Sequence, residues 1–410
     1  MTAGNRNGPP PTCPTDTALP GFPLPPEGSM GPPAEYERLR TECPFARVRH
    51  PTGAAGWFVT RYEDVRALLG DPRLTRPAVN EWPTGPQWPS PTGPALVTMM
   101  ELEGPRHTAL RQATAEAFSL RSVRSLRPRI RDLADEILDD LDASGSPGDL
   151  VTGFAEPFPL RVACEMTGLP YRQRHRFLGP ADAALGAMLT LDQGRASIEF
   201  LRGFIGEVAD HKRREPGDDI LSDLVARQDA GELTEEDVIC FGLSILVAGY
   251  RTPTMFLANA VLTLLTHPGH LDALRADPAL LPNAVEELLR YLPVMNAPVV
   301  MVATEDIDVN GHRIDAGEAV FPAIAAANRD ETVFAAADTF DITREHNPHL
   351  VFGRGEHNCV GSHVGRAELE IALAALLERF PRLELAVDPG ELPWEDDSPI
   401  KSPLSLPVRW

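Results

Sequence analysis

Basic charge is scarce in this chain of 410 residues. Lysine and arginine together number 38 against 59 aspartates and glutamates, which gives a net charge of −21. Nearly all of the basic residues are arginines, because the only lysines are Lys212 and Lys401. Such an acidic chain repels the phosphate backbone, so the composition argues against a nucleic-acid partner.

Cysteine is scarce as well. The five cysteines are scattered and form no Cys-x-x-Cys pair; they are Cys13, Cys43, Cys164, Cys240 and Cys359. This pattern does not predict a disulfide framework. A reducing cytoplasm is the simplest setting for such a chain.

Long hydrophobic runs are also absent. The most apolar stretch, residues 239–249, is shorter than the roughly 20 residues that span a bilayer, and it predicts a buried core helix. The first residues contain Pro9, Pro10 and Pro11 where a signal peptide would have its apolar region. We therefore expect no membrane partner and a cytoplasmic location.

Proline marks two segments that are not regular helices. Residues 1–33 are rich in Pro, Gly and Thr and predict a loosely ordered arm. After the arm no break in composition divides the chain, so residues 34–410 predict a single domain. Within it, residues 75–97 contain six prolines and predict a long loop. Long loops inside a compact domain are usually functional.

Residues 352–361 carry the strongest chemical signal, reading Phe-Gly-Arg-Gly-Glu-His-Asn-Cys-Val-Gly. Gly353 and Gly355 allow a tight turn, and a helical pattern of apolar residues begins after Gly361. Cys359 is therefore expected at the start of a helix, where the dipole and free N–H groups favour a thiolate. The simpler alternative is a buried structural cysteine.

The decapeptide fills every position of the pattern Phe-Gly-x-Gly-x-His-x-Cys-x-Gly, and on it the chain resembles the soluble bacterial members of the cytochrome P450 superfamily. The resemblance implies a mainly helical fold with a long central helix over a haem and a small β-rich lobe. It also implies haem b with Cys359 as the axial thiolate ligand of the iron, which favours O–O cleavage. Phe352, Gly353 and Gly361 would belong to the haem-binding loop.

A haem clamp is implied elsewhere in the chain. His107 and Arg111 lie four residues apart on one predicted helix face, and they match the family's His-x-x-x-Arg, whose side chains bind haem propionates. His357 of the cysteine motif would complete the clamp. The family often has a further propionate-binding arginine at the position of Met301, so this chain departs from the pattern there.

Arginines are concentrated in one segment. Residues 106–131 contain seven arginines and a single acid, Glu116. Two interpretations remain open. The segment either combines the clamp with a docking face for an acidic electron donor, or it is an ordinary solvated helix face.

A long central helix is predicted from residue 234 to about residue 266. Thr234-Glu-Glu-Asp is a capping box, and the pattern is long enough to span roughly 50 Å. Pro253 lacks the N–H that would bond to the carbonyl of Gly249, so we expect a kink at residues 249–253.

The family places an acid and a threonine in this helix as a proton relay. This chain has Ala248-Gly249-Tyr250-Arg251-Thr252, with Arg251 in place of the acid. Arginine stays protonated and cannot shuttle protons in the ordinary way. Either ordered water near Thr252 replaces the acid, or Arg251 points outward to a carboxylate and is structural.

The resemblance implies two further groups of residues. A buried charge network of Glu287, Arg290 and Arg344 would hold the segment that carries the cysteine loop. Substrate would contact side chains of the proline-rich loop and two later segments: Trp82, Trp88, Met99, Val294, Met295, Ala297 and Ile400. The loop residues could equally cover the core.

The implied function is a haem-dependent monooxygenase. It would hydroxylate or epoxidise a small organic substrate, expected to be a secondary metabolite, with O2 and with electrons from NAD(P)H through ferredoxin reductase and ferredoxin. A monomer is expected. The alternative is radical C–C or aryl coupling, or a peroxide-driven oxidation. A non-catalytic partner protein is a third hypothesis, although such relatives typically lose the cysteine motif.

Overall fold

The computed structural model describes residues 19, 21, 31–49, 54–76, 97–185, 191–293, 300–395 and 401–410. Helices dominate these residues: α1 (Ala34–Glu42), α2 (Tyr62–Leu68), α3 (Gly104–Thr114), α4 (Leu120–Ser144), α5 (Pro157–Thr167), α6 (Arg174–Leu185), α7 (Leu191–Arg214), α8 (Ile220–Asp229), α9 (Glu235–Ala248), α10 (Arg251–Thr266), α11 (Pro268–Ala276), α12 (Leu281–Tyr291), α13 (Ile324–Ala327) and α14 (Ser362–Arg379).

The strands are shorter and form a minor part of the molecule. They are β1 (Phe45–Arg49), β2 (Ala55–Val59), β3 (Leu74–Thr75), β4 (Gly148–Asp149), β5 (Met301–Ala303), β6 (Ile307–Val309), β7 (His312–Ile314), β8 (Ala319–Pro322), β9 (Glu384–Leu385) and β10 (Pro407–Arg409). The predicted class, mainly helical with a small β-rich part, is confirmed.

The largest sheet has five strands in the order β1-β2-β8-β5-β3. β2 and β8 are parallel, whereas the other neighbours are antiparallel. Strands β6 and β7 form a hairpin around Asn310 and Gly311, which have φ angles of 48° and 83°. Both angles are positive, as a tight two-residue hairpin turn requires.

The helical core is built from amphipathic faces. In α4 the buried residues recur three or four apart, as a helix that covers a core requires; they include Ile130, Leu133, Ile137 and Leu141. α14 packs against α4 and α12. The helix that follows the cysteine loop is therefore fixed by the largest hydrophobic cluster of the molecule.

The central helix is interrupted where a kink was predicted. α9 begins with a capping box between Thr234 and Asp237 and ends at Ala248, and α10 starts at Arg251. Pro253 lies in the first turn of α10, where an N–H would have no helical partner. The span from Glu235 to Thr266 is long and apolar enough to cross a membrane by length and composition, but 59% of its most apolar window is buried inside the protein.

The cysteines differ from the expectation in one respect. Cys43 takes part in a disulfide bond, whereas Cys164, Cys240 and Cys359 are free. Cys43 is buried beside α1. The spacing of the cysteines along the sequence did not indicate this bond.

Candidate functional site

The loop that carries Cys359 is closed by its own backbone. Gly353 and Gly355 have φ angles of 70° and 77°, which favour glycine. A Cβ atom on Gly355 would also lie 3.0 Å from the carbonyl oxygen of Leu69, so the loop fits tightly against the end of α2. The backbone N–H of Cys359 donates to the carbonyl of Phe352 at 2.8 Å, which fixes the cysteine at the end of the turn.

The thiol of Cys359 is accessible yet surrounded by protein. The residue is exposed, but burial raises the pKa of the thiol, while a hydrogen bond with the backbone of Gly361 and the charges of Arg111 and Arg366 lower it. The residue as a whole is therefore exposed, while its thiol is shielded by surrounding protein atoms. α14 begins at Ser362, so Cys359 lies just before the N-terminus of this helix. That this position favours a thiolate stays a prediction.

Two histidines and an arginine lie beside the cysteine loop. His107 in α3 stacks on His357 with ring centroids 4.4 Å apart. Burial lowers the pKa of both imidazoles, that of His357 to about 4, with Arg76 and Arg111 adding to the effect there. The ring of His357 is therefore neutral at neutral pH. Its Nε2 atom lies 3.1 Å from Glu103, and this contact is a hydrogen bond and not an ion pair.

Arg76 joins this group, although no sequence pattern indicated it. Its Nε atom is shielded from solvent and has no hydrogen-bond partner in the described part of the chain. Burial lowers the pKa of its guanidinium, and that of Arg111 as well. Met301, where an arginine was expected, is a buried residue of β5.

These residues fit a haem. Its iron needs an axial sulfur, which the free cysteine Cys359 supplies. Its two carboxylates need cations and hydrogen-bond donors, which Arg76, Arg111, His107 and His357 supply. The buried Nε of Arg76, which has no partner in the described chain, is a donor available to such a carboxylate.

The predicted charge network is assembled around Glu287, which has no exposed surface. Its carboxylate accepts hydrogen bonds from Arg290 at 2.7 and 2.8 Å and from Arg344 at 3.0 Å. Arg290 also donates to three backbone carbonyls, those of Asn328, Ala337 and Thr339. The network therefore ties α12 to the irregular segment that leads to the cysteine loop.

At the break in the central helix, Arg251 makes an ion pair directed away from the helix. One of its nitrogens lies 2.6 and 2.7 Å from the carboxylate oxygens of Glu395, and Nε lies 3.9 Å from Asp182. Tyr250 donates to Asp182 at 2.6 Å. Burial alone would lower the pKa of Arg251, but these carboxylates outweigh it and the pKa rises. The geometry favours the structural interpretation of Arg251.

The other residues of the predicted relay are in place at the same break. Thr252 is half-buried in the first turn of α10. Ala248 is exposed at the end of α9. A Cβ atom on Gly249 would lie 2.7 Å from the carbonyl oxygen of Ile245, so the backbone is tightly folded there.

Most of the predicted substrate contacts lie outside the described residues: Trp82, Trp88, Val294, Met295, Ala297 and Ile400. Met99 is described, and it is 8% exposed. Its backbone N–H donates to the hydroxyl of Ser244 in α9 at 2.9 Å. This residue therefore lies against the central helix.

Comparison with known proteins identifies the family. Residues 194–399 match the family model described as Cytochrome P450. The chain is 41% identical to nocardicin C N-oxygenase of Nocardia uniformis subsp. tsuyamanensis over 377 residues, 92% of this chain and 94% of that protein. This chain belongs to the cytochrome P450 family. Members of the family carry haem bound through a cysteine thiolate.

Two further relatives of this cytochrome P450 show the range of the family. Mycinamicin IV hydroxylase/epoxidase of Micromonospora griseorubida is 39% identical, with 92% of this chain and 94% of that protein covered. A solved structure of cytochrome P450mel 107F1, described as having biaryl coupling reactivity, is 34% identical with a TM-score of 0.86, and 92% and 96% of the two chains are covered. The predicted enzyme class, a P450 monooxygenase, is confirmed.

Proposed function

We propose that this chain binds haem b through Cys359 and oxidises a small secondary metabolite. The observation that carries the proposal is the tight loop of Cys359, whose thiol lies in the field of Arg111, with His107, His357 and Arg76 grouped beside it. When bound, the haem supplies dioxygen activation and oxygen insertion, with the second oxygen atom reduced to water.

The protein's own residues position that chemistry. Cys359 ligates the iron, and its loop fixes the sulfur. Arg111, His107 and His357 hold the carboxylates, while Phe352, Gly353 and Gly361 shape the loop against the cofactor. The Glu287 network keeps the segment before the loop in register with α12.

Proton delivery is assigned to the break between α9 and α10. The hydroxyl of Thr252 holds a proton or an ordered water there, beside the small residues Ala248 and Gly249. Arg251 is engaged with Glu395 and Asp182, so it acts by fixing the break and does not shuttle protons.

The oxidation itself has two candidate outcomes. Relatives named as N-oxygenase and as hydroxylase/epoxidase insert oxygen, and this outcome is favoured for this chain. Radical coupling is the second candidate, favoured by the relative with biaryl coupling reactivity and by the unusual Arg251. A peroxide-driven reaction is a variant of it.

Electrons come from NAD(P)H through ferredoxin reductase and ferredoxin. Of the seven arginines in residues 106–131, Arg121 and Arg124 are exposed and make no ion pair within the described ranges. Leu120 beside them is 46% exposed. An apolar side chain flanked by free cations suits an acidic donor. The protein works as a cytoplasmic monomer.

The test combines binding with product analysis. Candidate metabolites are screened by the shift they cause in the Soret band, and those that bind are incubated with ferredoxin, ferredoxin reductase and NADPH. We expect a product heavier by one oxygen atom. A product lighter by two hydrogen atoms would establish coupling instead, and full biological activity of Cys359→Ala would indicate a non-catalytic partner protein.

A further inference from the structure

Arg76 has no counter-ion within the described chain, although two acids lie near it. Glu101 and Glu103 both act on its guanidinium electrostatically. Glu101 is engaged by Thr98, whose N–H and hydroxyl donate to Oε2 at 2.8 and 2.6 Å. Glu103 Oε1 contacts His357 at 3.1 Å and accepts the backbone N–H of Arg76 at 3.4 Å. Neither carboxylate contacts the guanidinium.

A half-buried guanidinium in this state is costly unless an anion pairs with it. Arg73, three residues earlier, shows the ordinary arrangement. It is 40% exposed and lies 2.6 Å from Asp71. The two arginines therefore differ in burial and in pairing. Arg73 already has a carboxylate partner, whereas the guanidinium of Arg76 is available to a bound anion.

The register of the sheet places Arg76 opposite Met301. β3 and β5 are antiparallel, with Leu74 paired to Ala303 and Thr75 paired to Val302. Continuing this register by one residue pairs Arg76 with Met301. Directly opposite residues of an antiparallel pair project from the same face, with Cβ atoms roughly 4.5–5.5 Å apart. The side chain of Arg76 can therefore reach the same region that a side chain at residue 301 would reach.

We infer that Arg76 binds one haem carboxylate and replaces, from the neighbouring strand, the arginine that is absent at position 301. The inference rests on the proposed haem site. Two carboxylates would then face two guanidinium groups, those of Arg76 and Arg111, with His107 and His357 as additional donors. The two negative charges of the carboxylates are then matched by two positive guanidinium groups, and no cation is needed on β5.

The rate of haem transfer from the ferric holoprotein to apomyoglobin tests this assignment. Arg76→Gln should release haem roughly tenfold to a hundredfold faster, the factor expected for one lost charge-assisted hydrogen bond. Arg73→Gln is the matched control and should release haem at the wild-type rate. Arg76→Lys should be intermediate, because it keeps the charge and loses the planar fork; it also serves if Arg76→Gln does not fold.

Reconstitution with haem dimethyl ester separates carboxylate binding from a structural role. Esterification removes both negative charges, so the wild type and Arg76→Gln should then release the cofactor at similar rates. Adding Met301→Arg to Arg76→Gln should slow the release of ordinary haem again.

Equal release of ordinary haem by the wild type, Arg76→Gln and Arg76→Lys would overturn the inference. So would a difference between the wild type and Arg76→Gln that persists with the ester. A wild type that holds no haem would instead contradict the proposed function.

Discussion

At the scale of single residues, the protein treats buried charge in three ways. Glu287 and Arg290 are buried together and satisfy each other. Arg76 is half-buried and has no counter-ion within the described chain. Glu368 is buried in α14, and burial raises its pKa to about 8, so it is neutral at pH 7. Each case predicts a different response to mutation.

Replacing Glu287 with alanine would leave two arginines without their carboxylate, one of them fully buried. We expect a loss of about 3–5 kcal/mol in the free energy of unfolding and poor haem incorporation. Urea unfolding and the haem content of the purified protein measure the two effects. Glu384→Ala, which breaks an exposed pair with Arg409, should cost less than about 1 kcal/mol. A stable, fully loaded Glu287→Ala variant would show that the network is dispensable.

Thr252→Ala removes the hydroxyl assigned to proton delivery. We expect NADPH consumption to continue while less product forms and more hydrogen peroxide is released. The ratio of product to NADPH consumed is the measurement, and Thr266→Ala at the far end of α10 is the control. An unchanged ratio would mean that protons do not pass through this hydroxyl.

Glu368 makes stability depend on pH. Its pKa is raised from 4.5 to about 8, so between these values the native state binds one more proton than the unfolded state. Stability therefore falls as pH rises through this window, by up to about 1.4 kcal/mol per pH unit. Glu368→Gln has no titrating group at this position. The difference between its free energy of unfolding and that of the wild type, measured in urea, should therefore shift in favour of the variant from pH 6 to pH 8. Parallel pH profiles would refute the raised pKa.

At the scale of elements, the break in the central helix was the most predictable irregular feature. Pro253 and Gly249 indicated its position, because proline removes a helical N–H and glycine tolerates close backbone approach. The chain forms two separate helices here and not one kinked helix. α9 ends at Ala248, and α10 begins at Arg251, two residues before Pro253. The ion pair from Arg251 to Glu395 could not be predicted, since the two residues are 144 positions apart.

Glycine to alanine substitutions test this element. Gly249→Ala would place a methyl group 2.7 Å from the carbonyl oxygen of Ile245, so we expect a loss of about 1–3 kcal/mol in the free energy of unfolding. Gly206→Ala in α7 meets no atom within 4 Å and should instead stabilise the protein by about 0.5–1 kcal/mol. Thermal unfolding of both variants decides the matter; a harmless Gly249→Ala would mean that the break is loosely packed.

At the scale of the whole molecule, local motifs predicted the family, the helical class and the position of the cysteine loop. They missed what depends on contacts between distant segments. Arg76 is recognised only when β3 pairs with β5, and the disulfide of Cys43 only when the chain is folded. The motif also predicted a thiolate at Cys359, but the burial that raises the pKa of this thiol, and the charge of Arg111 that lowers it, come from distant segments.

The central claim is that Cys359 is the thiolate ligand of a haem iron. The carbon monoxide difference spectrum of the reduced, haem-supplemented protein tests it most directly, with Cys359→His as the matched variant. We expect the strongly red-shifted Soret band of thiolate ligation in the wild type and its loss in Cys359→His. A wild type that stays colourless, or a red-shifted band that survives in Cys359→His, would contradict the claim.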